Sequence, residues 1–160
     1  MNNQIAERFQ AEVVKHLERF SGQIIPVLRQ IVSYRYPPQV HHIDFEVLRD
    51  LFTSGFPVRA FFMDADNCEY FVYLDGKAAY PCDVDPWLLQ IESVYSREFE
   101  DGFCRQSADL DYFTLAGEAL IPWFARCWTE ACGQRFGRGA FIALHDDLRR
   151  YDLVRQEWTQ

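Results

Sequence analysis

Two kinds of hydrophobic spacing alternate along the chain and separate helical regions from extended ones. In residues 3–20 the apolar side chains recur every three or four positions, which predicts an amphipathic helix that ends near Ser21-Gly22. A second, shorter helix is predicted to open at Pro26, because proline suits the first turn of a helix. The Pro37-Pro38 pair then stops it.

The spacing changes to that of strands after the proline pair. Apolar and polar residues alternate strictly over 42–47, as in a half-buried strand, and 58–63 is an almost continuous apolar run. A return strand is expected at 69–74. Asp75-Gly76 is a strong hairpin signal, and it is followed by a short strand at 77–80. These segments together predict an antiparallel meander of three or four strands.

Two further helices and an extended end are predicted behind the meander. Asp85-Pro86 matches an N-cap followed by the first helical position, and apolar spacing continues from there to Phe99. A second helix is expected over 114–131, with Pro122 either kinking it or marking a fresh start. The final segments, 140–144 and 151–158, are extended in pattern. The fold class that follows is α+β, with helices first and a β segment last.

Composition places the chain among folded globular proteins. It has 160 residues, 49% of them hydrophobic and 25% charged, which excludes intrinsic disorder and favours one α+β domain over residues 1–160. It has no apolar run long enough to span a membrane and no secretory signal. The five cysteines are odd in number and form no CxxC pair. Free thiols in a reducing cytoplasm are therefore expected.

Negative charge is concentrated in the middle of the chain. The formal net charge is −8, whereas residues 41–112 alone hold fifteen acidic and five basic side chains. Such a field repels phosphate backbones and anionic membrane surfaces, so nucleic-acid and membrane binding are disfavoured. It favours a basic protein partner, although solubility alone is an equally good explanation.

The two arrangements that most resemble metal sites each lack a required feature. Asp64, Asp66 and Asn67 resemble the opening of a calcium loop, but Cys68 and Glu69 stand where that loop needs a ligand and a glycine. Cys127 and Cys132 are five residues apart, which is not one face of a helix, so a zinc site there is also disfavoured. No metal or cofactor is predicted.

One triplet of a histidine and two aspartates is the candidate for enzymatic chemistry. His145, Asp146 and Asp147 follow a predicted strand, where acid–base or metal-binding groups are common. Adjacent side chains diverge, however, so the triplet does not by itself form a site. Asp83 and Asp85 could in principle serve as an acid–base pair, but as flanks of a helix start they have a structural role. No catalytic residue is predicted.

Two C-terminal segments resemble a known class of proteins. The segments LIPWFARCWTEAC (120–132), with Gly133 behind it, and FIALHDDLRRYDLVRQEW (141–158) resemble the C-terminal part of small bacterial immunity proteins of polymorphic-toxin systems. The strands over 58–80 resemble those of the SMI1/KNR4-like immunity fold. The resemblance implies an acidic α+β domain in the cytoplasm that binds and blocks a toxin. It assigns no functional residue.

The favoured interpretation is a non-enzymatic interaction domain, and its most concrete form is an immunity-type protein that binds a basic toxin or effector. The predicted binding residues are carboxylates at the hairpin turns and directly after them: Asp64, Asp66, Glu69, Asp75, Asp83 and Asp85. One alternative is a small cytosolic hydrolase or metal-dependent enzyme that uses His145, Asp146 and Asp147. Another is a structural subunit whose aromatic side chains form an oligomer interface, and the sequence leaves its oligomeric state open.

Overall fold

The computed structural model describes residues 2–160, which form helices packed on one face of a mixed sheet. The helices are α1 (Asn2–Glu18), α2 (Ser21–Ser33), α3 (Arg97–Cys104) and α4 (Tyr112–Glu130). The strands are β1 (His42–Val47), β2 (Val58–Met63), β3 (Val72–Leu74), β4 (Lys77–Ala79), β5 (Gly139–Leu144), β6 (Arg150–Asp152) and β7 (Glu157–Thr159). The α+β class and the predicted order of helices and strands are confirmed.

The main sheet has five strands in the order β2-β1-β5-β6-β7. Strand β1 pairs antiparallel with β2 but parallel with β5, and Phe45 lies opposite Ala60 on one side and Ile142 on the other. These three side chains are buried under the helices. The alternating residues Asp44, Phe61 and Phe141 therefore lie on the outer face of the sheet, away from the helices.

The predicted continuous meander is not formed. Strands β3 and β4 make a separate two-stranded sheet, and the backbone pairing between β2 and the segment that leads into β3 is an isolated bridge between Met63 and Glu69. Residues 69–71 therefore leave the main sheet after one bridge instead of continuing as the expected return strand. Local pattern indicates hairpins, but it does not encode the parallel β1–β5 contact between segments almost one hundred residues apart.

The predicted helix from Asp85 to Phe99 was wrong over most of its length. The Asp85 carboxylate accepts a hydrogen bond from the Trp87 backbone N–H at 2.9 Å, but Leu88 has φ +62° and ends any helical continuation. The helix starts instead at Arg97, where the Ser96 hydroxyl accepts the N–H of Phe99 at 3.2 Å. A loop thus buries apolar residues whose spacing resembles that of a helix.

Helix α4 is the central element of the core. It runs unbroken through Pro122 and starts two residues earlier than predicted, with Asp111 as its N-cap. Trp123 and Trp128 are both buried, and the Trp123 indole donates to the Ser21 hydroxyl at 3.0 Å. The helix is therefore enclosed by the sheet and by the N-terminal helices.

Candidate functional site

The β3–β4 hairpin extends beyond the edge of the main sheet and exposes apolar side chains. Its turn places Asp75 at φ +51° and Gly76 at φ +77°, the two positive angles of the tight turn that suits hairpins. Tyr73 is 71% exposed and Leu74 is 64% exposed. A hairpin with three-residue strands cannot bury both of its faces, so these side chains remain accessible.

Arg59 on β2 forms hydrogen bonds with residues on both sides of the base of this hairpin. Its guanidinium donates to the Glu69 carboxylate at 3.2 Å and to the Tyr80 hydroxyl at 3.4 Å. The same group lies 4.3 Å from the ring centre of Phe61 and 5.6 Å from that of Trp87. Cation–π contacts of this kind stabilise the arrangement and orient the aromatic rings. Glu69, a predicted binding residue, therefore has an internal partner.

Most of the exposed large apolar side chains lie in one region. Within residues 2–160 six such side chains are exposed, and four of them belong to the hairpin or to the loop behind it. We define the hairpin surface as the exposed side chains Asp66, Tyr73, Leu74, Asp75, Tyr80, Asp83 and Trp87. Tyrosine and tryptophan surrounded by polar groups are typical of protein–protein interfaces.

The predicted acidic residues fall into two groups. Asp66, Asp75 and Asp83 are exposed and belong to the hairpin surface. Asp64 instead accepts the backbone N–H groups of Asp66 and Cys68, each at 2.9 Å, and so shapes the turn after β2.

Asp85 and Glu69 belong with Asp64. Asp85 accepts the backbone N–H of Trp87 at 2.9 Å and the side chain of Gln90 at 3.2 Å, while Glu69 pairs with Arg59. These three carboxylates are held in place by the chain itself. They add to the charge of the region and also position its loops.

The chain segment that carries the hairpin surface is strongly acidic. Residues 64–111 connect β2 to α4 and hold twelve acidic and three basic side chains. Asp75 directly follows Leu74 at the turn of the hairpin, and Asp83 lies four residues before Trp87 in the loop behind it. A partner that met this region would therefore face both a concentrated negative field and accessible aromatic rings.

Of the three candidate side chains, His145 and Asp146 lie 3.5 Å apart, from Nε2 to a carboxylate oxygen, whereas Asp147 is paired with Arg149 instead of with either of them. The His145 ring is hydrogen-bonded to the Glu46 carboxylate, which raises the pKa of that histidine. The Asp147 carboxylate accepts the backbone N–H of Arg149 at 2.9 Å and pairs with its guanidinium at 3.2 Å. These bonds point the side chains to different partners.

No metal centre is formed within residues 2–160. This part of the chain contains no group of three or more histidine, cysteine, aspartate or glutamate side chains placed to hold an ion. His41 and His42 share a contact of 3.3 Å between their Nδ1 atoms, and His42 also contacts Asp44 at 3.3 Å. His42 is buried, whereas His41 is exposed. The pair therefore has only one ring open to a ligand.

Sequence reasoning missed the aromatic part of the hairpin surface. The sequence placed Tyr73, Leu74, Tyr80 and Trp87 in strands or in a helix and assigned them no part in binding. A signal was present in the run from Phe71 to Leu74, four apolar residues directly before the Asp75-Gly76 turn. Because side chains alternate between the two faces of a strand, such a run is buried only if other elements pack on both faces. A hairpin that lies beyond the edge of the main sheet has no such neighbours on both sides.

Comparison of the chain with protein-family models, with curated proteins and with solved structures found no significant match. The resemblance to immunity proteins therefore stays a prediction. Among residues 2–160, none of the helices combines the length and the apolar character needed to cross a membrane.

Proposed function

We propose that this protein is a non-enzymatic binding domain that recognises a basic protein partner through the hairpin surface. The observation that carries this proposal is the coincidence of exposed Tyr73, Leu74 and Trp87 with the most acidic part of the chain. Buried aromatic anchors supply most of the free energy of typical interfaces. Surrounding charges of one sign mainly raise the association rate and select the partner.

The more specific form of the proposal is a bacterial immunity-type protein that binds and blocks a basic toxin in the cytoplasm. Support comes from the acidic hairpin surface and from the resemblance in residues 120–133 and 141–158. The five free cysteines fit a reducing compartment. An inhibitor of this kind needs no catalytic group, only a surface that covers a functional region of the toxin.

The proposal is tested by affinity capture with two baits. One bait is the protein itself, and the other carries Asp66→Lys, Asp75→Asn and Asp83→Lys, which change exposed carboxylates and leave at residue 75 a side chain that tolerates its positive φ. We expect the first bait to retain a basic protein, identified by mass spectrometry, and the second to lose it. A bait with Glu157→Lys, an exposed carboxylate outside the hairpin surface, is the matched control and should retain it. Equal retention by all three baits would contradict the proposal.

Self-association through the hairpin surface is disfavoured by its charge. A two-fold symmetric dimer places the same patch on both partners. Asp75 and Asp83 of the two copies would then face each other, and like charges across an interface are repulsive. We therefore expect sedimentation velocity at low salt to show a monomer, whereas a dimer that is lost on Trp87→Ala would favour the oligomer interpretation.

A further inference from the structure

A groove of about 1000 Å³ lies on the outer face of the main sheet, toward the β6–β7 edge. It is separate from the hairpin surface, which adjoins the β2 edge. The groove is formed by the segment before β1, the turn before β5 and the last two strands. The side chains that give it its chemical character are His41, Arg138, Phe141, Arg150, Asp152 and Arg155.

Arg138 forms a fixed positive charge in the wall of this groove. Its Nε donates to the Val40 carbonyl at 2.7 Å, and its Nη2 donates to the Tyr36 and Pro37 carbonyls, each at 3.3 Å. Backbone carbonyls satisfy these N–H groups without neutralising the charge. The guanidinium is therefore held in one position before any ligand arrives, which lowers the entropic cost of binding.

Arg150 supplies a second cation at the floor of the groove. Its guanidinium lies 3.8 Å from the ring centre of Phe141, and one of its nitrogens is 3.6 Å from the Asp44 carboxylate. That separation exceeds hydrogen-bonding distance. Because the side chain is 42% exposed, its N–H groups are accessible from the groove.

The carboxylate side chain that lines the groove, Asp152, already has hydrogen-bonding partners within the protein. One oxygen of Asp152 accepts the backbone N–H groups of Val154 and Arg155, each at 2.9 Å. Its other oxygen lies 3.8 Å from the Arg155 guanidinium, which is largely exposed. Three arginines thus line the groove with one carboxylate side chain, Asp152, while the Asp44 carboxylate lies 3.6 Å from Arg150.

We propose that this groove binds a small oxyanion ligand, a phosphate ester or a di- or tricarboxylate, held by Arg138, Arg150 and Arg155. Phosphate and carboxylate groups match the paired N–H geometry of guanidinium groups. The volume of the groove lies within the range of small-molecule sites. The Phe141 ring provides an apolar surface beside the cations. This site is independent of the hairpin surface, so either can fail without the other.

The test is calorimetric titration of the protein with inorganic phosphate, adenosine monophosphate and citrate at low salt. We expect at least one of these probes to bind, and Arg150→Gln and Arg155→Gln each to weaken its binding by about tenfold. Binding by citrate alone would identify the ligand as a carboxylate. Binding by either phosphate probe would identify it as a phosphate compound.

Arg149→Gln is the matched control, because Arg149 adjoins Arg150 in the chain but pairs with Asp147 instead of lining the groove. The affinity of the Arg149→Gln variant for the probe should stay close to that of the parent protein. Thermal unfolding of each variant confirms that the fold is retained, and chemical-shift changes at the amides of 137–139 provide a second readout. Absence of binding by all three probes, or equal weakening by Arg149→Gln and Arg150→Gln, would overturn the proposal.

Discussion

The Trp128 indole packs directly against the α-carbon of Gly133. A side-chain carbon added at residue 133 would overlap the Nε1, Cδ1 and Cε2 atoms of this ring. Trp128 is fully buried, and its ring also contacts Phe45 and Phe136 edge-on, with ring centres 5.7 and 5.6 Å apart. The ring therefore has no room to move aside.

Gly133→Ala is expected to destabilise the protein. Forcing an extra carbon into a packed core typically costs about 1–3 kcal/mol. Gly137→Ala is the matched control, because a carbon added there meets nothing within 4 Å. Urea denaturation should show a lower unfolding midpoint for Gly133→Ala and an almost unchanged one for Gly137→Ala. Equal midpoints for the two variants would mean that Trp128 does not pack as described.

The reason for this glycine is not visible in the local sequence. A glycine directly after a helical segment is typical of the left-handed residue that ends a helix, but here Cys132 takes that conformation, with φ +65°. Glycine is required one residue later because of the indole, a contact that depends on how the chain packs in three dimensions. Local signals such as alternation over 42–47 and the Asp75-Gly76 turn gave correct elements, since their causes lie within a few residues.

In the candidate site, too, features with local causes could be predicted and features that depend on long-range contacts could not. The acidic turns could be located from the sequence, because aspartate and glycine shape turns through local bonds. Which carboxylates remain free depended on partners such as Arg59 on another strand, and the exposure of Trp87 depended on a loop that was predicted as a helix. Long-range contacts, including the parallel β1–β5 pair, leave no local pattern.

The five cysteines should differ in reactivity. Cys68 and Cys132 are exposed, whereas Cys127 is buried and its burial raises its pKa to about 11. Because the thiolate is the reactive form, a thiol reagent at pH 8 should modify the two exposed cysteines first and Cys127 only on unfolding. Titration in denaturant should count five thiols. A smaller count in freshly prepared protein would reveal disulfides.

The pKa of His145 should lie above that of an ordinary histidine, and the pKa of His16 should lie below it. The hydrogen bond that the His145 ring donates to the Glu46 carboxylate raises the pKa of His145, while burial and the neighbouring Arg19 lower that of His16. Nuclear magnetic resonance titration of the ring protons measures both values. Glu46→Gln should bring the pKa of His145 down and leave that of His16 unchanged. An unaltered pKa of His145 in this variant would show that His145 and Glu46 do not form the hydrogen bond.

The sign of the linkage follows from the direction of the His145 shift. A histidine whose folded pKa is raised stabilises the fold below its unfolded pKa, near 6.5, and loses that contribution as the pH rises through the folded value. The difference in unfolding midpoint between the parent and Glu46→Gln should therefore be largest in acid and shrink above neutral pH. Because His145 is exposed, we expect the effect to be small.

Gly76→Ala should loosen the β3–β4 hairpin without unfolding the protein. Residue 76 has φ +77°, a conformation that costs an alanine about 1 kcal/mol, although nothing lies within 4 Å of the added carbon. Hydrogen exchange at residues 72–79 should accelerate while the melting temperature of the main fold changes little. Unchanged exchange would indicate that the turn does not hold the hairpin.

The most direct test of the central claim is the affinity of the captured partner, once purified, for two matched tryptophan variants. Trp87 is 40% exposed and belongs to the hairpin surface, whereas Trp158 is 52% exposed and lies on β7 at the other edge of the sheet. Biolayer interferometry should show Trp87→Ala weakening binding by about tenfold or more, with Trp158→Ala close to the parent. Equal affinities for the parent and Trp87→Ala, or a loss confined to Trp158→Ala, would contradict the assignment of the hairpin surface as the binding site.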